Sequence, residues 1–146
     1  MKYIFTGLFL LVFGGACATN QEPSNITNDS AASKTNSDKS AIEIVNLRMQ
    51  SYNDHNIDKF MSAYSENVKI YTYPDKELAT GKPHIKSIFE PMFKEKNVGV
   101  KIHHQIAKDS YVINHETVTV DGKDTEYVSI YEVRNGLITS VRFVRD

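Results

Sequence analysis

The stretch that decides the fold is residues 129–144, SIYEVRNGLITSVRFV. At its centre, Arg134-Asn135-Gly136 is a turn signal between two runs rich in β-branched and aromatic residues, so the stretch predicts a β-hairpin. Both faces of this hairpin are apolar, because both parities of the returning run carry Val, Ile, Leu or Phe. A sheet with one face in water would instead alternate apolar with polar residues. The hairpin is therefore expected to cover something on each of its two sides.

Sequence patterns before the hairpin predict the other elements of the domain. Ser40 and Glu43 form a capping box that begins a first helix, and Asn56 is the expected cap of a second. A strand at residues 68–73 stops at Pro74, and Gly81-Lys82-Pro83 opens a third helix that Pro91 should kink or restart. Alternating runs separated by turn dipeptides then predict strands at residues 98–108, 111–120, 125–134 and 137–145.

The order of these elements is helix, helix, strand, helix and then an antiparallel meander. Helices segregated from an antiparallel sheet indicate an α+β domain with helices packed on one face of the sheet. The chain has 146 residues and a net charge of −1, which allows one domain and shows no basic face for nucleic acid. Its single cysteine excludes an intramolecular disulfide and a thiolate metal cluster.

The N-terminus predicts export. Lys2 precedes an uncharged apolar run at residues 3–16, too short for a membrane span and typical of a signal peptide covering residues 1–18. The lone Cys17 follows Gly-Gly-Ala and resembles a bacterial lipobox cysteine, although Gly14 stands where that pattern usually has an aliphatic residue. The alternative is ordinary cleavage after Ala18. Lipidation of Cys17 is preferred because the cysteine lies at the end of the apolar run, so we expect a lipoprotein of the bacterial periplasm or outer membrane, or alternatively a secreted protein.

Residues 19–39 are rich in Asn, Ser, Thr and Asp and contain almost nothing apolar. Such a segment cannot bury enough surface to offset its ordering entropy, so it predicts a disordered polar tether. The globular domain is then expected at residues 40–146.

Three segments of this domain carry a family resemblance: YNDHNIDKF at 52–60, GKPHIKSIF at 81–89 and IYEVRNGLI at 130–138. With the order of elements, they resemble the SnoaL-like group of the nuclear transport factor 2-like superfamily over residues 40–146. The resemblance implies a cone-shaped, curved antiparallel sheet wrapped around three N-terminal helices, a deep apolar pocket and homodimers through the outer sheet face. Members include ketosteroid isomerases, polyketide cyclases, dehydratases and proteins that are not enzymes, so the fold leaves the activity open.

The steroid isomerase mechanism can be tested against this sequence. That enzyme uses an Asp base and an oxyanion site made of a Tyr and a protonated Asp. The resemblance places Tyr73 at the base, Arg48 at the Tyr and Ser129 at the protonated Asp. Because neither acid position carries an acid, the sequence argues against steroid isomerisation by that mechanism.

Two histidines are the candidate acid/base groups. A two-residue loop at Asp109-Ser110 would pair Ile106 with Ile113, His104 with His115 and Ile102 with Thr117. This face is otherwise apolar and is expected to be the buried pocket face, whereas a shift by one residue would bury Gln105, Asn114 and Glu116 instead. In an apolar pocket, His104 and His115 could act as general acid and base. The alternative is a pair of structural histidines, and no metal site is predicted.

The pocket itself is expected to be aromatic. A two-residue turn at Asn135-Gly136 would pair Ser129 with Arg142, whereas the preferred three-residue loop with a bulge at Gly136 would pair Ser129 with Val141 and gather aromatics on one face. The predicted pocket residues are Tyr52, Tyr71, Tyr73, Phe89, Phe93, Tyr127, Ser129, Tyr131 and Phe143.

The sequence therefore predicts an exported homodimeric domain that binds a small hydrophobic or aromatic molecule without a cofactor. It is expected to meet no nucleic acid and to meet the membrane only through a lipid anchor. The alternatives are an isomerase, cyclase or hydratase that uses the pocket histidines, and a protein-interaction module.

Overall fold

The computed structural model describes residues 35–145. The predicted signal peptide, the lipidation of Cys17 and residues 19–34 of the predicted tether lie outside this range and stay predictions. Within it, a short 3-10 helix (Asn36–Asp38) precedes three α-helices and six β-strands. None of the helices in the described range is long and apolar enough to cross a membrane.

The three helices begin where the sequence signals predict. Helix α1 (Ala41–Asn53) starts with the capping box of Ser40 and Glu43, which is present in both directions. Helix α2 (Ile57–Ser62) starts where the side chain of Asn56 accepts a hydrogen bond from the backbone N–H of Lys59 at 3.0 Å. Helix α3 (Lys82–Glu95) has Pro83 in its first turn. It continues past Pro91 as one helix, so the predicted restart there is wrong.

One six-stranded sheet carries the strands in the order β2-β1-β6-β5-β4-β3. It is curved and unclosed, and with the three helices it forms the expected α+β fold. The expectation of a purely antiparallel sheet is wrong, because β1 runs parallel to β6. The strands are β1 (Tyr64–Thr72), β2 (Lys76–Thr80), β3 (Val98–Lys108), β4 (Tyr111–Val120), β5 (Lys123–Arg134) and β6 (Leu137–Val144).

The hydrophobic core lies between the helices and the inner face of the sheet. Phe60 of α2 is fully buried and sits at its centre. Its ring lies 6.0 Å from that of Tyr52, 5.2 Å from that of Tyr64 and 5.2 Å from that of Phe93, measured between centroids. Offset and edge-to-face contacts of this kind add stability beyond the burial of area. The aromatic cluster fixes α1, α2 and α3 against the start of β1.

The end of the predicted tether joins the domain. The 3-10 helix lies against the turn between β5 and β6, and the side-chain amide of Asn36 donates to the carbonyl of Ser62 at 3.0 Å. Gly136 in that turn has a φ of +70°, and a Cβ placed there would collide with the backbone of Asn36. Glycine is therefore required at position 136 by both conformation and close approach. Residues 36–38, at the end of the predicted tether, form this 3-10 helix.

The hairpin of β5 and β6 has a different register from the two that the sequence suggested. Asn135-Gly136 is a two-residue turn, because Arg134 pairs with Leu137. An extra residue in β6 then shifts the ladder, so that Ser129 pairs with Phe143 rather than with Val141 or Arg142. The predicted partners of Ser129 are therefore wrong. The observed partner Phe143 lies two residues from the preferred partner Val141, and a shift of two residues leaves every side chain on its predicted face. Tyr131 and Val141 therefore still share the inner face with Phe143.

The β3–β4 hairpin confirms the predicted pairing near its turn and contradicts the predicted face. Ile106 pairs with Ile113 and His104 with His115, as expected. A bulge at the next position then pairs Ile102 with Glu116 instead of Thr117. Ile106 is 66% exposed whereas Glu116 is fully buried, so the face with Ile106 and Ile113 looks outward and the face with Asn114 and Glu116 looks inward.

Candidate functional site

A cavity of about 370 Å³ lies between the helices and the inner face of the sheet. Leu78 and Ile88 are more than two-fifths exposed and mark its mouth, while Arg48 and Glu116 are almost entirely buried and mark its inner end. Most of the wall is apolar. The apolar lining residues are Ile70, Leu78, Ala79, Ile88, Phe89, Met92, Val100, Val118, Val120 and Phe143, and the remaining ones are Arg48, Tyr52, Glu116, Tyr127 and Arg145.

Arg48 reaches the inner end of the cavity from α1. Its Nε donates a hydrogen bond to the hydroxyl oxygen of Tyr64 at 2.8 Å, and its Nη1 lies 3.1 Å from the sulfur of Met49. Its Cζ lies 5.3–5.6 Å from the ring centroids of three aromatic side chains, which are those of Tyr52, Phe60 and Tyr131. Cation–π contacts of this kind favour a desolvated guanidinium.

The charge of Arg48 survives its burial. Burial alone would lower the pKa of this guanidinium, but Tyr131, Tyr64 and the carboxylate of Glu116 together raise it above its ordinary value. The cavity therefore has a permanent cation at its inner end. Such a buried cation is tolerated only where opposite charge or hydrogen bonds compensate its desolvation.

Glu116 supplies the compensating negative charge from β4. Its Oε1 accepts hydrogen bonds from the hydroxyl of Ser129 at 2.7 Å and from the hydroxyl of Tyr131 at 3.2 Å. Its Oε2 accepts one from the side-chain amide of Asn114 at 3.0 Å. The Oδ1 of Asn114 in turn accepts from Gln105 at 2.9 Å. These side chains lie on the inward positions of β3, β4 and β5, where the alternation of the strands brings them together.

The two buried tyrosines of this network stay protonated near neutral pH. Burial raises the pKa of Tyr64, and it raises the pKa of Tyr131 well above the ordinary value, although Arg48 acts against both shifts. The hydroxyl of Tyr131 is thus available as a donor to Glu116. The inner end of the cavity combines one positive charge, one negative charge and neutral hydroxyls.

The two predicted acid/base histidines lie on the other face of the sheet. The rings of His104 and His115 stack with centroids 5.9 Å apart, and His115 lies 3.9 Å from the carboxylate of Glu126. The prediction that they line an apolar pocket is wrong, because the sheet buries the face that carries Asn114 and Glu116. These histidines cannot act on a molecule bound in the cavity.

The predicted aromatic pocket residues separate into two groups. Tyr52, Phe89, Tyr127 and Phe143 border the cavity, and their role in binding a ligand stays a prediction. The other predicted residues do not border the cavity. Phe93 packs in the core, and the hydroxyls of Ser129 and Tyr131 donate hydrogen bonds to Glu116. The ring centroid of Tyr71 lies 4.8 Å from Cζ of Arg142, and Tyr73 is 56% exposed.

The sequence analysis did not predict that Arg48 and Glu116 lie together at the inner end of the cavity. One signal could have found this arrangement: Arg48 lies three residues after Val45 and four residues before Tyr52, on the buried face of the predicted first helix. An arginine on a buried stripe requires a buried anion or acceptor opposite it. Glu116 on a strand facing that helix meets this requirement.

Within residues 35–145, no three His, Cys, Asp or Glu side chains lie close enough together to hold a metal ion.

Comparison with known proteins places this geometry in a broad fold family. A family model described as a SnoaL-like domain matches residues 47–141. Among solved structures, an NTF2-like protein of unknown function from Cytophaga hutchinsonii is 18% identical with a TM-score of 0.64, covering 73% of this chain and 89% of that one. An LEH-like epoxide hydrolase of M. tuberculosis is 20% identical with a TM-score of 0.60, covering 73% and 82%.

A third similar structure is a computationally designed 17-OHP binder, 14% identical with a TM-score of 0.65, covering 74% of this chain and 92% of that one. No curated protein matches the chain. At these identities the solved structures establish the shared fold and leave the activity open.

Proposed function

The chain belongs to the SnoaL-like domain family, and from that premise we propose that it binds a small hydrophobic molecule in the cavity. The observation that carries the proposal is the composition of the cavity wall. Ten of the fifteen residues that line the cavity are apolar, and the cavity has a volume of about 370 Å³. Small-molecule sites are typically concave, mostly apolar and supplied with a few convergent polar groups. The buried Arg48 and Glu116 are such groups.

The alternative function is enzymatic, because an epoxide hydrolase of M. tuberculosis is among the proteins with a similar fold. Glu116 is the carboxylate that borders the cavity in the described part of the chain. Three donors already occupy it, from Ser129, Tyr131 and Asn114. A general base must lie within hydrogen-bond reach of the proton that it removes, directly or through one water. Three hydrogen bonds hold the carboxylate of Glu116 in one orientation, which suits a group that positions a ligand.

Filling the cavity tests the proposed binding. The Val118→Phe variant places a larger side chain in the cavity wall, and we expect it to weaken binding of 2-methylnaphthalene at least about tenfold, measured by titration calorimetry. The matched control is Val128→Phe, which puts the same change on the opposite face of the sheet, where Val128 is 38% exposed. The control should bind like the wild type.

Two results would contradict this assignment. Binding that survives in Val118→Phe would place the ligand outside the cavity. Absence of binding in the wild type, with a cooperative thermal transition that proves the fold, would move the function to protein interaction. The melting temperatures of both variants show whether loss of binding reflects loss of folding.

We also propose that the outer face of the sheet contacts a second copy of the chain. The face carries an outer patch formed by Ile106, Tyr111 and Ile113, which are 66%, 43% and 37% exposed. Ile106 and Ile113 are cross-strand partners, so their side chains form one continuous apolar surface. Contiguous exposed apolar patches often mark protein–protein contacts. Charges of both signs border this patch, namely Glu132 and Arg134, which suits contact with an identical surface.

The oligomeric state tests this contact. We expect the wild type to sediment as a dimer at micromolar concentration, and the Ile106→Asp variant to sediment as a monomer, because a buried unpaired carboxylate opposes association. The matched control is Ile88→Asp, which alters an exposed isoleucine on α3. A monomeric wild type, or a dimer that is unaffected by Ile106→Asp, would disprove the proposed interface.

A further inference from the structure

The inner end of the cavity holds two opposite charges that do not pair with each other. Arg48 and Glu116 both border the cavity and both are buried, yet no ion pair joins them among the contacts of residues 35–145. Tyr131 lies against both groups: its ring centroid is 5.4 Å from Cζ of Arg48, and its hydroxyl donates to Glu116. Neutral side chains fix each charged group separately: Tyr64 accepts a hydrogen bond from Arg48, and Asn114, Ser129 and Tyr131 donate hydrogen bonds to Glu116.

Both charged groups retain hydrogen-bonding capacity. A guanidinium has five N–H donors, and the hydrogen bonds of Arg48 use Nε and one N–H of Nη1. Within the described range, Nη2 of Arg48 has no hydrogen-bond partner. A carboxylate offers about four acceptor positions, and Oε2 of Glu116 receives one donor, from Asn114. The inner end of the cavity therefore carries unused donors on Arg48 and an unused acceptor position on Glu116.

A hydroxyl group is the simplest group that satisfies both. We propose that the ligand is an uncharged, mainly apolar molecule that ends in a hydroxyl group, which accepts a hydrogen bond from Arg48 and donates one to Glu116. This inference rests on the proposed ligand-binding function and specifies its chemistry. The apolar body of the molecule occupies the space toward Leu78 and Ile88 at the mouth.

Other end groups fit this constellation less well. A carboxylate accepts from Arg48 but meets the negative charge of Glu116 at close range. An ammonium group donates to Glu116 but meets the positive charge of Arg48. A ketone uses Arg48 alone, and a hydrocarbon uses neither group, so that buried polar atoms lose water without gaining a partner.

A matched ligand series tests the inference on the intact chain. The probes are 2-naphthol, 2-methylnaphthalene and 2-naphthoate, which share one apolar skeleton and differ in the end group. We expect 2-naphthol to bind at least about tenfold more tightly than 2-methylnaphthalene, because two hydrogen bonds to charged groups replace none. We expect 2-naphthoate to bind more weakly than 2-naphthol.

The outcomes separate this inference from the proposed function. Equal affinity for 2-naphthol and 2-methylnaphthalene would overturn the hydroxyl inference while the binding function stood. Tighter binding of 2-naphthoate would overturn it in favour of an anion site. Failure of all three probes to bind would overturn the inference together with the binding function beneath it.

A double variant locates the hydroxyl. Arg48→Met combined with Glu116→Gln removes both charges together, and we expect it to bind 2-naphthol and 2-methylnaphthalene within about threefold of each other. The matched control is Arg134→Met with Glu132→Gln, which removes an ion pair of 2.8 Å that does not line the cavity and should retain the tenfold preference. A preference retained in the first double variant would overturn the inference. The wild-type ligand series decides the question if that variant does not fold.

Discussion

The Arg48→Met variant is expected to lose about 1–3 kcal/mol of unfolding free energy, because it leaves buried polar groups without a partner and removes the charge that compensates Glu116 without a direct ion pair. Arg48 and Glu116 are 4% and 0% exposed, so bulk water compensates little of the lost charge. The hydroxyl oxygen of Tyr64 also loses its donor. Urea denaturation, followed by circular dichroism at pH 7, measures the change.

The double variant with Glu116→Gln distinguishes charge from packing in this loss. Removing both charges should recover much of the stability, since two opposite buried charges removed together leave neither one uncompensated. The coupling energy of the cycle should then be at least about 1 kcal/mol in the favourable direction. If the two losses simply add, Arg48 stabilises the fold by packing, and the electrostatic coupling between the two residues is absent.

Alkaline pH is expected to unfold the domain because three buried tyrosines must be protonated in the native state. Burial raises the pKa of Tyr52, Tyr64 and Tyr131, whereas tyrosine in the unfolded chain titrates near pH 10. Above pH 10 the unfolded state therefore binds fewer protons than the native state, and stability falls as pH rises. The contribution of these groups is fully present below pH 10 and is lost toward their native pKa values.

The expected slope is about 1.4 kcal/mol per pH unit for each buried tyrosine above pH 10. Unfolding free energies measured in urea at several pH values between 8.5 and 11.5 give this slope. The Tyr131→Phe variant should lower this slope by about 1.4 kcal/mol per pH unit, which is the contribution of one tyrosine. The control Tyr111→Phe, at a residue that is 43% exposed, should leave it unchanged. A flat profile up to pH 11.5 would contradict the buried, protonated state of these hydroxyls.

The sequence predicts the strongly periodic elements of this fold well. Strands β3, β4, β5 and β6 lie within two residues of their predicted bounds, because long alternating runs and turn dipeptides are local signals. Strand β2 was missed: it is five residues long, and Ala79 is its single buried position. The parallel pairing of β1 with β6 was also missed, since no local pattern identifies a partner so distant in sequence.

The candidate site was assigned to the wrong face of β3 and β4. Sequence reasoning buried the more apolar face, which carries Ile106 and Ile113, on the rule that apolar residues lie inside. The protein instead buries the face with Asn114 and Glu116, which on β4 also carries Val112, Val118 and Val120 and faces Arg48 on α1. Alternation along a strand shows that two faces differ, but which face meets the helices depends on what those helices carry.

The position of β6 between β1 and β5 has a consequence for how the domain folds. Ile70 pairs with Val141, about 70 residues further along the chain, so the contact closes a long loop. Until residues 137–144 have been synthesised, the sheet consists of two separate pieces, β2–β1 and β5–β4–β3. Both pieces expose the strand edges that β6 will later cover, and such edges favour pairing with other chains. The nascent domain is thus expected to fold late and slowly, and to need protection from aggregation until its last strand is made.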